Sequence, residues 1–389
     1  MIKRVYADNA ATSALTQIAF EAMLPYLKNE YGNPSAIYSF GRNAKMAVES
    51  AREKVANAIG AHADEIYFTS GGTESDNWAI RSAAKLFKEK GKHIISSCIE
   101  HHAVLHTLKE LENEGFEVTY LKVDEYGQIS LDDLRSVIRS DTILITIMTA
   151  NNEVGTILPT KEIGEIARNN NIAFHTDAVQ AAGHIPIDVQ SMSIDMLSLS
   201  GHKFGGPKGT GVLYIKNGIG IPSNMFGGGQ EHSLRSGTEN VAGIVGLATA
   251  LEDATNNLQS NMQKVSLLRD KLIEGLLKIP NVSLTGDSIN RLPGIASFII
   301  ECVEGESLVI MLDRNGICAS SGSACSSGSQ EPSHVLLATG IPRRLAHSSL
   351  RLSLNEQNTE EDIDYILEKL PPIIDRIRQL SPQWNERIK

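Results

Sequence analysis

Ile143-Leu-Ile-Thr-Ile147, then Thr160-Lys-Glu-Ile-Gly-Glu-Ile-Ala-Arg-Asn169, then Ile172-Ala-Phe-His175 decide the fold class. The first and third runs are short, largely β-branched and apolar on both faces, as strands are when helices cover the sheet. The run between them has a helical pattern. Strand, helix, strand is the repeating unit of an α/β sheet. Outward from here the alternation continues. Ile66-Tyr-Phe-Thr69, His93-Ile-Ile-Ser96, Met196-Leu-Ser-Leu199 and Gly211-Val-Leu-Tyr-Ile215 read as strands, and Asn77 to Lys90 as a helix. The expectation is an α/β domain with a mostly parallel sheet. After about residue 250 the pattern changes. A long amphipathic helix runs from roughly Gly243 to Lys278, broken near Asn256-Asn257. A strand at Ile295 to Ile300, a helix at Ser307 to Asn315 and a terminal helix from about Glu360 follow. These predict a smaller α+β domain.

The chain has 389 residues, 41% apolar and 21% charged. That suits one large domain plus a smaller one and is too apolar for disorder. Lys and Arg number 36 against 46 Asp and Glu, a net charge of −10. Without basic runs, this speaks against non-specific binding to nucleic acid or an anionic membrane. The segment MIKRVYADNAAT has no apolar signal core, and no stretch approaches a membrane span. Cys98, Cys302, Cys318 and Cys325 follow no zinc spacing. The expectation is a reducing, cytoplasmic location with free thiols, each either packing or reactive. Cys98 and Cys302 read as packing. Residues 320–329, Ser-Ser-Gly-Ser-Ala-Cys-Ser-Ser-Gly-Ser, read by composition as a flexible, solvent-facing stretch carrying one nucleophile, Cys325.

Several strand ends carry chemistry. The strand at Met196 runs into Ser200-Gly-His202-Lys203-Phe-Gly-Gly-Pro-Lys208-Gly209. Open α/β sheets bind ligands at strand carboxyl ends, where a lysine amine can condense with a carbonyl cofactor. The plainer reading is a solvated loop lysine. His175-Thr-Asp177-Ala-Val-Gln180 ends an apolar strand in an acid. A pyridinium nitrogen would suit that acid, as would a helix N-cap role. Thr69-Ser-Gly-Gly72-Thr73-Glu-Ser75 follows a strand and opens a helix, so its N–H groups and dipole suit a phosphate. It is neither a Walker loop nor GxGxxG, and Thr73 or Ser75 as a simple cap is the alternative. His101 and His102 follow a strand, with His106 four residues beyond His102. That spacing can hold a metal, but no HExxH and no nearby third ligand support one; a flat imidazole at a strand end can instead stack on a cofactor ring. Asn151-Asn152-Glu-Val-Gly155 offers amides for a hydroxyl or carboxylate, or a turn. Arg351, in Ser349-Leu-Arg-Leu-Ser353, offers a fork for a carboxylate or an exposed edge arginine. Together these groups fit pyridoxal phosphate and an amino acid.

From Tyr6-Ala-Asp-Asn-Ala-Ala-Thr12 to about Asp364 the sequence resembles cysteine desulfurases of the NifS/IscS type, in the class V aminotransferase group. The resemblance rests on Thr69-Ser-Gly-Gly-Thr-Glu-Ser75, Glu100-His101, Ser200-Gly-His-Lys203, Arg235-Ser-Gly-Thr238 and Ser320-Ser-Gly-Ser-Ala-Cys325. It implies the pyridoxal-phosphate fold type I. A large domain over residues 15–255 would carry a mostly parallel seven-stranded sheet. Residues 1–14 and 256–389 would form the smaller α+β domain, with a catalytic Cys loop at about 318–332. The same resemblance implies that Lys203 is the lysine that bonds pyridoxal 5'-phosphate and that His101 stacks on its ring and helps move protons. Asp177 would pair with the pyridine nitrogen and Gln180 with the phenolic oxygen. Gly72, Thr73, Ser200 and His202 would hold the phosphate. Thr238 would reach the phosphate of the other subunit, which implies a homodimer. Asn152 and Arg351 would take the substrate carboxylate, and Cys325 the sulfur. The implied partners are L-cysteine and a persulfide-acceptor protein such as an iron–sulfur scaffold, with no direct nucleic acid or membrane. No resident metal is implied, Cys325 being a candidate transient iron–sulfur ligand. Tyr38 stands where relatives often carry His, Asn355 where Gly is usual, and Gln357-Asn358 continue an altered turn. The alternatives are a selenocysteine lyase or another class V aminotransferase; a thiol in a Ser/Gly loop argues against the latter.

Overall fold

The computed structural model describes residues 3–321, 331–382 and 384. Cys325 lies outside the described residues. The chain begins β1 (Val5–Tyr6), α1 (Gln17–Lys28), α2 (Ser39–Ile59), β2 (Ile66–Thr69), α3 (Gly72–Leu86), β3 (His93–Ser97), α4 (His102–Asn113), β4 (Glu117–Leu121) and α5 (Leu131–Val137). It continues with β5 (Thr142–Thr146), α6 (Thr160–Asn169), β6 (Ala173–Asp177), β7 (Met196–Ser200), β8 (Gly211–Ile215), α7 (Val241–Asn256) and α8 (Leu258–Leu277). Then follow β9 (Val282–Leu284), β10 (Ile295–Ile300), α9 (Gly305–Arg314), β11 (Ile317–Cys318), α10 (His334–Ala338), α11 (Arg343–Ala346), β12 (Ser349–Ser353) and α12 (Glu360–Leu380).

Seven strands form one sheet in the order β2-β8-β7-β6-β5-β3-β4. The strands from β4 to β7 pair in parallel, and β8 runs antiparallel to both β7 and β2. The molecule is thus an α/β protein with a mostly parallel seven-stranded sheet, as expected. Every residue of β3, β5, β6, β7 and β8 is buried. Burial on both faces is why these runs read as nearly continuous apolar segments. The exception is β4, Glu-Val-Thr-Tyr-Leu. As an edge strand it is half-buried and polar at alternate positions, so no apolar run announced it. The helix expected from Asn77 starts five residues earlier, at Gly72.

Two smaller sheets complete the fold. Strands β12, β10 and β9 make an antiparallel sheet in that order, and β1 pairs in parallel with β11. Apolar residues from α8, α9 and α12 pack on them, including Leu272, Leu308 and Ile366. The break between α7 and α8 falls at Asn257, where the sequence placed it. Between β1 and α1, residues 8–16 cross from β12 to the turn after β7. Ala7 O accepts from Ser353 N, and Ser13 N–H donates to His202 O.

Candidate active site

Strands β3, β5, β6 and β7 are neighbours and point the same way, so their carboxyl ends open onto one place. Lys203, Ser200 and His202 come from the end of β7, and Asp177 and Gln180 from the end of β6. Asn152 follows β5, His101 follows β3, and Gly72 and Thr73 are the first turn of α3. All line a single cleft of about 240 Å³. Two expected residues lie elsewhere. Thr238 is exposed and outside this cleft. Arg351 stands behind Asn152, its Nη1 donating to Asn152 O at 3.0 Å.

The surroundings of these residues bear on the alternative readings. Lys203 is not a free solvated loop side chain: its Nζ donates to Ala10 O at 2.6 Å and Ala11 O at 2.9 Å. Gln180 Nε2 donates to the same Ala10 O at 2.7 Å. Asp177 is 7% exposed and accepts from Val179 N–H at 2.9 Å, yet no helix follows it. Burial raises its pKa, opposed by His101 and Lys203. Arg351 is not an edge arginine in solvent. It is 1% exposed, and its Nη2 bonds Asp8 Oδ1 at 3.0 Å.

The first turn of α3 has no side chain capping its N–H groups; its N-cap is Gly71. Ser75, which could have capped it, instead donates to Val212 O at 3.0 Å. Uncapped first-turn N–H groups and the helix dipole form a ready anion site. The turn is drawn hard against its neighbours. A Cβ on Gly211 would stand 2.5 Å from Gly71 Cα, and one on Gly72 would stand 2.6 Å from Val179 Cγ2.

His101 is the N-cap of α4, its Nδ1 accepting from Ala103 N–H at 3.1 Å. A neutral ring bonded this way carries its proton on Nε2. Burial lowers its pKa, opposed by the Asp177 charge. His202 is pushed down to about 4 by burial and by Lys203 and Lys208, and its Nδ1 pairs with the Thr12 hydroxyl at 3.1 Å. Of the histidines offered to a metal by spacing, His102 stacks between His106 and His334, with ring centroids 5.0 Å and 4.8 Å away. Among the described residues, the side chains that could share a metal ion are Asp76, His101 and Asp177.

Sequence reasoning missed Asp76. Its signal was available: on α3 it shares the inward face with Ala79, Ile80 and Ala83, where an acid is out of place. It also gave no part to two other acids, Glu100, which is buried, and Glu153, which is half-buried. Glu100 accepts from Met148 N–H with both oxygens at 3.1 Å and from the Ser97 hydroxyl, and burial pushes it up to about 8. Glu153, pushed up to about 7 by burial, accepts from the Ser333 hydroxyl. The altered turn after β12 closes on itself: Asn355 N–H donates to Asn358 Oδ1 at 2.9 Å, and Asn358 Nδ2 donates to Tyr6 O at 3.0 Å.

A mostly parallel sheet with a lysine, an acid and an uncapped helix turn at its strand ends defines a fold class, and comparison agrees. The chain belongs to the aminotransferase class-V family, whose model matches residues 5–366. It is 57% identical over 380 residues to a protein of Methanosarcina thermophila named cysteine desulfurase IscS, covering 98% of this chain and 94% of that one. A protein of the same name from Clostridium botulinum (strain Hall) is 54% identical over 392 residues, covering 100% and 99%. Among solved structures, one titled NifS-like protein superposes with a TM-score of 0.91 at 40% identity, over 96% of this chain and 100% of that one. A NifS-like protein from Rickettsia africae gives 0.87 at 33% identity, again over 96% and 100%.

Proposed function

We propose that this protein is a pyridoxal-phosphate-dependent cysteine desulfurase. It converts L-cysteine to L-alanine and passes the sulfur through Cys325, as a persulfide, to an acceptor protein such as an iron–sulfur scaffold. The observation that carries the reading is one cleft combining a buried acid, a lysine, an imidazole and an uncapped helix turn, in a chain 57% identical to a cysteine desulfurase.

The residues fit the cofactor. Asp177 is a buried acid whose carboxyl meets a backbone N–H, and a pyridinium nitrogen would give it a countercharge at close range. The α3 turn, with Thr73, Ser200 and His202 beside it, suits the phosphate, and Gln180 suits the phenolic oxygen. The cofactor supplies an aldehyde for the amine and a ring that accepts electrons. The rest is done by this chain. Asn152 holds the substrate carboxylate with Arg351 bonded behind it, so the α-hydrogen is presented in a fixed direction. Lys203 Nζ takes that proton and returns it, with the neutral His101 ring beside it. The Ala10 and Ala11 carbonyls hold the amine at the mouth of the cleft. The Cys325 thiolate attacks the substrate sulfur: an S–S bond forms, the carbon–sulfur bond breaks, and its electron pair stays on the carbon that becomes alanine's methyl group. Release of the sulfur as sulfide consumes an external thiol reductant.

The exposed position of Thr238, away from its own cleft, supports a homodimer in which it completes the partner's phosphate site. Cys98, Cys302 and Cys318 are free thiols, in keeping with a reducing cytoplasm.

The test is an absorbance spectrum of the protein with pyridoxal phosphate, then L-cysteine and a reductant, with alanine and sulfide assayed together. Equal alanine and sulfide are expected. Lys203→Ala loses the absorbance of the lysine-bound cofactor, and Cys325→Ser keeps it but loses sulfide. Amino transfer to a keto acid without sulfide would overturn the reading in favour of an aminotransferase.

A further inference from the structure

A second acid stands behind Asp177. Asp76 is 1% exposed. The nearest ligating atoms of Asp76, Asp177 and His101 all lie within 4.8 Å of one another. Two ionised carboxylates at that separation, out of water, repel strongly. Something must remove one of the charges.

We propose that Asp76 is a positioning residue held as a neutral carboxylic acid, so that the buried pair presents one negative charge, on Asp177, to the protonated ring nitrogen of the cofactor. The proposal deepens the function above and rests on its cofactor.

The hydrogen bonds around Asp76 support a proton there. His175 is wholly buried, and burial pushes it down to about 3, so it is neutral. Its Nδ1 pairs with the Thr146 hydroxyl at 2.8 Å and its Nε2 with the Ser198 hydroxyl at 3.0 Å. Ser198 also bonds the Asp76 carboxyl. Each hydroxyl has one proton, so the chain runs one of two ways: Thr146 O–H to His175 Nδ1, Nε2–H to Ser198 and Ser198 O–H to Asp76, or the reverse, in which Asp76 O–H donates to Ser198, Ser198 O–H to Nε2 and Nδ1–H to Thr146; the second is open only to a protonated Asp76. His175 Nε2 is therefore committed to Ser198, and its 3.7 Å approach to Asp76 Oδ1 brings no cation. Oδ1 itself is buried with no hydrogen-bond partner. An ionised oxygen left that way is costly; a protonated one is not an unmet anion.

The charged groups facing the pair agree. Burial, then the Asp177 charge, raise Asp76; Ser198 works the other way, and Glu100 raises it further. The two groups that oppose the rise on Asp177, His101 and Lys203, are not among the influences on Asp76. The Lys203 charge reaches Asp177 and is not among the influences on Asp76, so the charge belongs on Asp177 and the proton on Asp76. The arrangement also explains the residue type. One acid pairs with one pyridinium; a second anion at Asp76 would have no cation among the groups that influence it.

The experiment is infrared spectroscopy of the full chain near neutral pH, with aspartate carboxyls labelled with carbon-13. A protonated aspartic acid gives a C=O stretch that carboxylates lack, and the label separates it from that of Glu100. The expected result is an aspartic-acid band in the wild type that disappears in Asp76→Asn. Absence of the band from the wild type overturns the proposal without recourse to any variant, as does its survival in Asp76→Asn. Pyridoxal phosphate binding gives a second readout. Asparagine mimics the neutral acid, so Asp76→Asn keeps the cofactor dissociation constant within about threefold, whereas Asp177→Asn weakens it by about tenfold or more. Equal weakening by both variants would show Asp76 to be a charged partner and overturn the proposal. A wild type that takes up no cofactor defeats the proposed function instead, while the infrared band of the cofactor-free chain still decides Asp76.

Discussion

Glu231→Gln removes the main anion facing a buried guanidinium, and its cost can be worked from the contacts. Arg52 and Glu231 each have side chains 4% exposed. Nη1 and Nη2 of Arg52 each donate to one carboxylate oxygen at 2.9 Å. The same carboxylate accepts from Phe68 N–H at 2.8 Å, which ties both side chains to β2. Breaking a buried pair by removing one partner costs about 3–5 kcal/mol. Two contacts temper that here. Arg52 Nη1 keeps Ile66 O at 2.6 Å, and Nε keeps the half-exposed Glu49 at 3.3 Å. The lower end applies, about 3 kcal/mol, or about a hundredfold in the folding equilibrium. The substituted amide also turns an N–H₂ toward a guanidinium that has only donors. Urea unfolding followed by circular dichroism and by the buried Trp78 measures the loss. In a double-mutant cycle with Arg52→Met, the pair should couple by about 1–3 kcal/mol. A cost below about 1 kcal/mol, or two costs that simply add, would refute the reasoning. The loss should reach the site as well. Glu231, His232 and Ser233 hold φ values of 45°, 56° and 68°, a run of left-handed residues that the buried pair must offset. This segment leads to Arg235, bonded to Glu74 of α3 at 2.9 Å, and on to Thr238. Cofactor binding should therefore weaken together with stability.

Three further perturbations follow from the same contacts. Arg351→Lys keeps the charge but loses the fork that reaches Asp8 and Asn152 O; about 2–3 kcal/mol of charge-assisted bonding predicts kcat/KM for cysteine lower by about 30- to 100-fold, and an unchanged value with normal cofactor absorbance would contradict the assignment. Gly211→Ala drives a Cβ to 2.5 Å from Gly71 Cα, so overpacking of about 1–3 kcal/mol should distort the α3 turn and weaken pyridoxal phosphate binding by about tenfold, as a cofactor titration would show. Glu153 is raised to about 7 in the folded chain, so the native state binds its proton more tightly than the unfolded one and loses stability as pH climbs from the unfolded carboxylate value to about 7. The advantage of Glu153→Gln in urea unfolding should grow across that window and level off above it; a difference independent of pH would refute the shift.

Legibility followed burial. The central strands announced themselves because both faces are covered, so Ile143 to Ile147 and Met196 to Leu199 carry nearly continuous apolar runs, interrupted only by Thr146 and Ser198. The edge strand β4 faces water along one side and reads as ordinary mixed sequence. At the site, groups that sit at strand ends could be read directly: Lys203, Asp177, Asn152 and His101 each follow an apolar run by a residue or a few. Their partners could not. Asp8, which holds Arg351, is 343 residues away in sequence. Ala10, whose carbonyl takes both Lys203 and Gln180, has no chemistry in its side chain to notice. Asp76 was legible in principle, as an acid on the apolar face of α3, but a helix pattern tolerates one polar exception without comment.

That an alanine pair serves the lysine is itself informative. A lysine that bonds the cofactor aldehyde would give it up when substrate amine takes its place, and would then need acceptors close at hand. An acidic residue there would provide them, but it would add a second anion beside Asp177, where the buried site already has to keep Asp76 neutral. The Ala10 and Ala11 carbonyls accept two hydrogen bonds from Nζ and bring no net charge. They also bring almost no side chain to the mouth of the cleft. Because the same segment carries Asp8 to Arg351 and Ser13 to the loop after Lys203, whose Gly205 N–H donates to Ser13 Oγ at 2.8 Å, the lysine and the arginine are registered against one short piece of backbone. A substitution that lengthens or kinks residues 8–13 should therefore disturb proton transfer and carboxylate binding together, whereas changes at Lys203 or Arg351 alone should separate them.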